Sequence, residues 1–159
     1  MTQEEEYMAQ ALLLAEEAAA IGDIPVGCVV VKDGVIIGRG RNRREEIGDA
    51  TAHAEVEAIR AACATQGSWR LEHCDLYVTL EPCPMCAGAM INARIRRVWY
   101  GAQNPKAGCC GGVLALFQER FNHRPQVYGG VLEAKCAALL HQFFRSRPFN
   151  GTNYFVNLR

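Results

Sequence analysis

The segment DLYVTLEPCPMCAGAMINARIRRVWYGA, residues 75–102, reads as strand, turn, helix and strand in succession. DLYVTL carries the β-branched and aromatic side chains of a strand. EPCPMCAGAMINA follows directly as a turn into a helix, with Pro84 suited to the first helical turn, where a missing N–H removes no hydrogen bond. IRRVWYGA then returns to strand. A strand that passes through a helix into another strand needs a sheet covered by helices, because each element has an apolar side to bury.

The flanking sequence extends this pattern. Upstream, VGCVVV and VIIGRG are joined by KDG, and Asp33-Gly34 supplies the turn chemistry of a β-hairpin. VGCVVV is apolar nearly throughout, which predicts cover on both faces. A helix over Glu4–Ile21 places Tyr7, Met8, Ala11, Leu12, Ala15, Ala18 and Ala19 at helical spacing. A second, from about Ala52 to Ala64, turns Ala58, Ile59, Ala62 and Cys63 inward, after a polar loop RNRREEIGD. Downstream come a glycine-rich loop NPKAGCCGG, a short helix near Leu114–Gln118, a strand QVYGG and a last helix with Leu132, Cys136, Leu139, Leu140 and Phe143 on one side. The reading is α/β, with helices on both faces of one sheet.

With 159 residues, 50% hydrophobic and 21% charged, the chain fits one globular domain over residues 1–159. Charges or turn residues interrupt every apolar run too early for a membrane span, and MTQEEEY is no signal-peptide start, so a cytoplasmic location is expected. Eight cysteines in a chain with core enough of its own are expected to be reduced thiols, with Cys28, Cys63, Cys74 and Cys136 filling the core. Cys109 and Cys110 stand apart between glycines.

Formal net charge is zero, which argues against a strongly basic nucleic-acid clamp. The distribution is uneven, however: residues 1–80 carry 7 Lys and Arg against 14 Asp and Glu, and residues 81–159 carry 10 against 3. Arg94, Arg96, Arg97, Lys106, Arg120, Arg124, Arg145 and Arg147 are candidates for a basic face; a solvated surface is the alternative.

ATAHAEVEAI, residues 50–59, puts His53 and Glu55 at the start of a small-residue helix. PCPMC gives Cys83 and Cys86 the C-x₂-C spacing of a metal knuckle at another helix start, where the macrodipole favours thiolate. A lone pair of this kind also suits a redox couple or half a structural zinc site. A structural site needs a fourth protein ligand; His73 follows no such pattern, and His123 and His141 are remote. His53, Cys83 and Cys86 with one open position make the formula of a catalytic zinc, and Glu55 beside it is placed to move protons to a leaving amine.

HAE followed by PCPMC resembles the zinc deaminases of bases and nucleosides. Within that superfamily DIPVGCVVV, RNRREE, AHAEVEAI, GSWRLEHCDLYVTLEPCPMCAGAMINARIRRVWYGA, PKAG, RFNHR and GGVLEAKCAALLHQFFR resemble, in order, the blocks of the bacterial tRNA adenosine deaminases. The likeness spans roughly residues 5–147. It implies a cytidine deaminase-like three-layer α/β/α fold on a mixed five-stranded sheet, one zinc ion per subunit on His53, Cys83 and Cys86, and Glu55 as proton shuttle. It also implies hydrolytic conversion of adenosine to inosine at the wobble position of a tRNA anticodon loop, with the arginine tRNA as expected target.

Asn42 matches the nucleoside-contacting asparagine, and its amide offers both donor and acceptor to a purine or ribose; turn capping is its alternative role. Pro25, Val26, Ala54 and Pro82 match walls of the base pocket. The resemblance implies a homodimer whose partner subunit helps to hold the anticodon stem-loop, with Lys106, Asn122, His123, Arg124 and Phe144 near the loop or its groove. Phe143 and Phe144 are alternatively core or dimer contacts. No membrane and no other protein partner is expected. A deaminase of a free base such as guanine or cytosine shares the zinc logic and is the rival; a zinc-stabilised RNA-binding module without catalysis is more distant.

Two features depart from the family. Asn104 stands where relatives usually carry aspartate, which bears on recognition of ribose and backbone. The tail from about 148 to 159 lacks the usual lysine- and arginine-rich extension, predicting weaker or less salt-dependent tRNA binding.

Overall fold

In the computed structural model, which describes residues 1–146, β3 (Cys74–Leu80), α4 (Pro84–Ala93) and β4 (Arg97–Ala102) form the expected strand-helix-strand unit. β4 lies parallel to β3, with Leu76 opposite Val98 and Val78 opposite Tyr100. All seven residues of β3 are buried. The hairpin β1 (Gly27–Lys32) and β2 (Val35–Arg41) adds antiparallel on the other side of β3, and the short β5 (Gln126–Tyr128) adds parallel to β4. The order β2-β1-β3-β4-β5 makes a mixed five-stranded sheet. The N-terminal half of β1 is buried without interruption, as its apolar sequence predicts.

The register assigns the helices to faces. Cys28 pairs with Gly40 and Val30 with Gly38, so these four point one way, and a Cβ at either glycine would run into the backbone of α3 (Ala54–Gln66). Val29, Tyr77 and Trp99 pair across three strands and point the other way, as does Gly101, whose missing Cβ makes room for Cys136 on α5 (Glu133–Ser146). Gly27, on that same face, admits α1 (Gln3–Ala20). α3 and α4 therefore cover one face and α1 and α5 the other, giving three layers. Tyr7, Tyr77, Trp99 and Tyr128 run as an aromatic ladder along the second face, with successive ring centroids 4.5–5.7 Å apart.

Several boundaries differ from the expected ones for local reasons. Ala52 and His53 lie outside α3: His53 is its N-cap, with extended backbone at φ −79°, ψ 151°. The polar loop after β2 contains a one-turn helix, α2 (Arg44–Ile47), whose Glu45 and Glu46 N–H groups donate to the buried carboxylate of Asp23. The short helix near Leu114 reduces to a 3₁₀ turn over Leu116–Gln118, and β5 stops before Gly129 and Gly130, the latter at φ 86°. Cys28, Cys74 and Cys136 are core residues, Cys63 is half-buried, and all eight thiols are free. Arg96 and Arg97 of the supposed basic face are paired with Asp75. Among the described residues no helix is long and apolar enough to cross a membrane. Arg147 and the tail from about 148 lie outside the described residues.

Candidate active site

α3 and α4 bring their N-termini together at the end of the sheet where β3 finishes. His53 is the N-cap of α3, Cys83 the N-cap of α4, and Cys86 lies in the first turn of α4. His53 makes no side-chain cap bond to α3, which leaves its ring free to meet the sulfur atoms of Cys83 and Cys86. His53 Nδ1 is 3.6 Å from Cys83 Sγ and 3.5 Å from Cys86 Sγ, and the three candidate ligand atoms lie within 4.8 Å of one another. Ordinary zinc–nitrogen and zinc–sulfur bonds at a tetrahedral angle place nitrogen and sulfur about 3.6 Å apart. The donor set and its spacing therefore fit zinc, and among the described residues no other His, Cys, Asp and Glu group does.

The local electrostatics suit a cation. A hydrogen bond from the Cys86 thiol, opposed by burial and assisted by His53, holds Cys83 down at about 4, while the same bond and burial push Cys86 up. Glu55, in the first turn of α3, is buried with 4% exposure; burial first and the neighbouring Cys83 thiolate second push it up to about 7. A carboxyl group poised near neutral pH both gives and takes protons readily.

A cavity of about 420 Å³ opens against this cluster, lined by Val26, Asn42, His53, Glu55, Cys83 and Lys106 among others. Asn42 is buried, and its Oδ1 accepts the Ala54 N–H at 2.9 Å, doing from the preceding loop the capping that His53 does not do. Its capping role is thus real, and the amide NH₂ is what it has left to offer. Pro25, Ala54 and Pro82 are buried behind the lining, next in sequence to residues that form it.

The remaining expected contacts are not gathered here. His123 Nε2 lies 2.6 Å from the carbonyl of Ile95, before the start of β4, so Asn122, His123 and Arg124 sit at the opposite end of the sheet within one subunit. Phe144 is buried on α5, on the other face, with its ring edge-on to Phe143 at 5.3 Å. Both rings belong to the buried hydrophobic core of the subunit.

Several lining residues carry no site role in the sequence-based expectation, Arg44 and Glu81 among them, while Asn104 stands there only as a departure from the family. Arg44 enters through α2, while its neighbours Arg41 and Arg43 pair with Glu46. Asn104 also lines the cavity, but its Oδ1 accepts the N–H groups of Lys106 and Ala107, so it shapes the loop rather than meeting a ribose through that atom. Glu81 is 2% exposed just after the end of β3, and no local pattern in the sequence marks it.

A model of the cytidine and deoxycytidylate deaminase zinc-binding region matches residues 1–102. A tRNA-specific adenosine deaminase of Bacillus subtilis (strain 168) is 50% identical over 146 residues, 91% of each chain. One from Agrobacterium fabrum is 47% identical over 148 residues, 92% of this chain and 97% of that one. The chain belongs to the bacterial tRNA-specific adenosine deaminase family. A structure from studies of A-to-I editing by tRNA:A34 deaminases agrees with a TM-score of 0.82 at 46% identity, covering 85% of this chain and 99% of that chain. A guanine deaminase from Nitrosomonas europaea agrees less well, with a TM-score of 0.76 at 26% identity, covering 87% and 83%. In the family's terms, the matched zinc-binding region includes His53, Glu55, Cys83 and Cys86 together.

Proposed function

We propose that this protein hydrolytically deaminates adenosine to inosine at the wobble position of a tRNA anticodon loop, the arginine tRNA being its target. The observation that carries the reading is Glu55, a buried carboxyl group facing the cavity directly beside His53, Cys83 and Cys86. These three residues would hold a zinc ion, which when bound would supply a water activated near neutral pH. Glu55 would take a proton from that water and pass it to purine N1 as the oxygen bonds to C6, then carry the second oxygen-bound proton to the amino group, which leaves as ammonia. The Asn42 amide NH₂ orients the nucleoside, while Val26 flanks the base. Lys106 and Arg44, at the cavity, meet the phosphates on either side of it. An anticodon base is unpaired, so turning it out of the loop stack costs less than extracting it from a duplex.

The protein works as a cytoplasmic homodimer. Val113, Leu114 and Phe121 are 59%, 45% and 47% exposed on the segment after β4, apolar surface that a partner subunit would cover. The far-end position of Asn122, His123 and Arg124 suits contact with RNA held by the other subunit. Eight free thiols accord with a reducing compartment.

The test is inosine formation, followed by mass spectrometry, on an arginine-tRNA anticodon stem-loop with adenosine at the wobble position. Wobble inosine is expected. Release of ammonia from guanine or cytosine, with none from the stem-loop or full-length tRNA, overturns the reading in favour of a free-base deaminase.

A further inference from the structure

Glu81 is a buried carboxylate outside the proton-transfer chemistry, and its side-chain hydrogen bonds run to one loop. Oε1 accepts the Asn104 N–H at 3.0 Å, and Oε2 accepts those of Cys110 at 2.8 Å and Gly112 at 2.9 Å. The main chain reinforces the same seam: Glu81 N donates to Ala102 O at 2.8 Å, and Cys109 N donates to Pro82 O at 2.9 Å. A Cβ at Gly108 would collide with the Glu81 carboxylate, and one at Gly112 with the Asn104 carbonyl. Neither glycine has a positive φ, so they are small for the sake of this approach alone.

The position of this joint gives it a task. Two residues after Glu81 comes Cys83, a zinc-ligand candidate at the start of α4. The loop it grips carries Asn104, Lys106 and Ala107, the cavity wall across from the ligands. Three N–H groups converging on one side chain call for a group that only accepts, and a carboxylate is that group. An amide would turn its NH₂ toward at least one of the donors.

We propose that Glu81 is a positioning residue for substrate recognition: its carboxylate sets the 104–112 loop against the metal cradle, so that Lys106 and the loop backbone meet the RNA in one fixed pose. The proposal rests on the function given above. It separates two roles that a short motif runs together, with Cys83 and Cys86 serving the metal and Glu81 serving the substrate wall.

The experiment compares wild type, Glu81→Gln, Glu81→Asp and Gly108→Ala as zinc-loaded proteins. It measures zinc stoichiometry, amide hydrogen exchange over residues 103–113, and kcat and KM on the wobble-adenosine stem-loop. Glu81→Gln is expected to keep its zinc, to exchange faster in that loop, and to raise KM about tenfold while kcat changes by less than about threefold. Gly108→Ala crowds the same joint from the loop side and is expected to show the same split, which keeps the test decisive if Glu81→Gln folds poorly. Glu81→Asp, still an acceptor but one methylene shorter, is expected to recover part of the KM. Loss of zinc with kcat falling at unchanged KM, or slow exchange preserved in the loop, overturns the proposal. Failure of the functional reading looks different, because wild type itself then makes no inosine from the stem-loop.

Discussion

Glu55 and Asn42 differ in what the chain asks of them, and substitutions separate the two. The buried Glu55 carboxyl group bonds its own backbone and the Cys86 thiol at the site rather than the sheet, so Glu55→Ala should leave folding and zinc content intact. Turnover should fall at least about a hundredfold, the usual range for a lost general acid-base group; near-normal inosine formation would remove Glu55 from its role. Asn42 caps α3 through Oδ1 and faces the cavity. Asn42→Ala should therefore cost about 1 kcal/mol of stability, as loss of a helix cap does, and weaken substrate binding as well. Asn42→Asp keeps the acceptor and loses the donor, so its urea midpoint should stay near wild type while KM rises. An unchanged KM in Asn42→Asp would show that the cap, not the donor, is all that Asn42 provides. The residue types were legible because HAE and PCPMC are rare combinations with one joint chemistry. Glu81 was not, since a lone glutamate before proline carries no sign of the three N–H groups that a loop 23–31 residues downstream will bring to it.

At the scale of elements, the site exists because two helices begin at the same place. The placement of α3 depends on Gly38 and Gly40, which let its backbone settle directly onto β2. Gly40→Ala would set a methyl group against the main chain at Ala54 and Ala58, next to the N-cap that presents His53. Overpacking of this kind typically costs about 1–3 kcal/mol, and denaturation in urea should register it. Zinc affinity should fall with it, because His53 moves with the helix; a stable variant with unchanged zinc affinity would contradict this dependence. Periodicity located both helices, since their apolar stripes are long. It missed α2, whose four residues are too few to hold a helix by their own propensity and form a turn because Asp23, distant in sequence, accepts two of its N–H groups. It also placed His53 inside α3, because composition does not show that an N-cap has left helical backbone.

For the whole molecule, the metal and the charge distribution make the checkable statements. Three candidate ligands at the starts of α3 and α4 would tie together two parts of the chain 30–33 residues apart, so stripping zinc with a chelator should lower Tm. Tm should recover and then rise with added free zinc, as linkage requires; a Tm indifferent to zinc would refute the ligand set. Zero net charge leaves no long-range field of one sign, and Arg96 and Arg97 are occupied with Asp75. RNA affinity should therefore depend only moderately on salt. Lys106→Ala should weaken stem-loop binding and reduce the slope of log K against log salt by about 0.7, the contribution of one phosphate contact on a single strand. An unchanged slope would take Lys106 off the phosphate backbone.

Short-range pattern determined a good deal here: the alternation of strands and helices, the buried Cys28, Cys74 and Cys136, and the candidacy of His53, Glu55, Cys83 and Cys86 for one site. Each of these follows from local spacing or from side-chain chemistry that does not depend on distant partners. Tertiary structure alone decided the rest. It set which helix covers which face, through glycines that are silent until a backbone lies against them. It put Asn42 on the α3 N-terminus and Glu81 under the 104–112 loop, and it carried Asn122, His123 and Arg124 to the far end of the sheet. Those assignments rest on hydrogen bonds and close approaches between segments separated in the chain, and such partners acquire neighbours only when the sheet has folded.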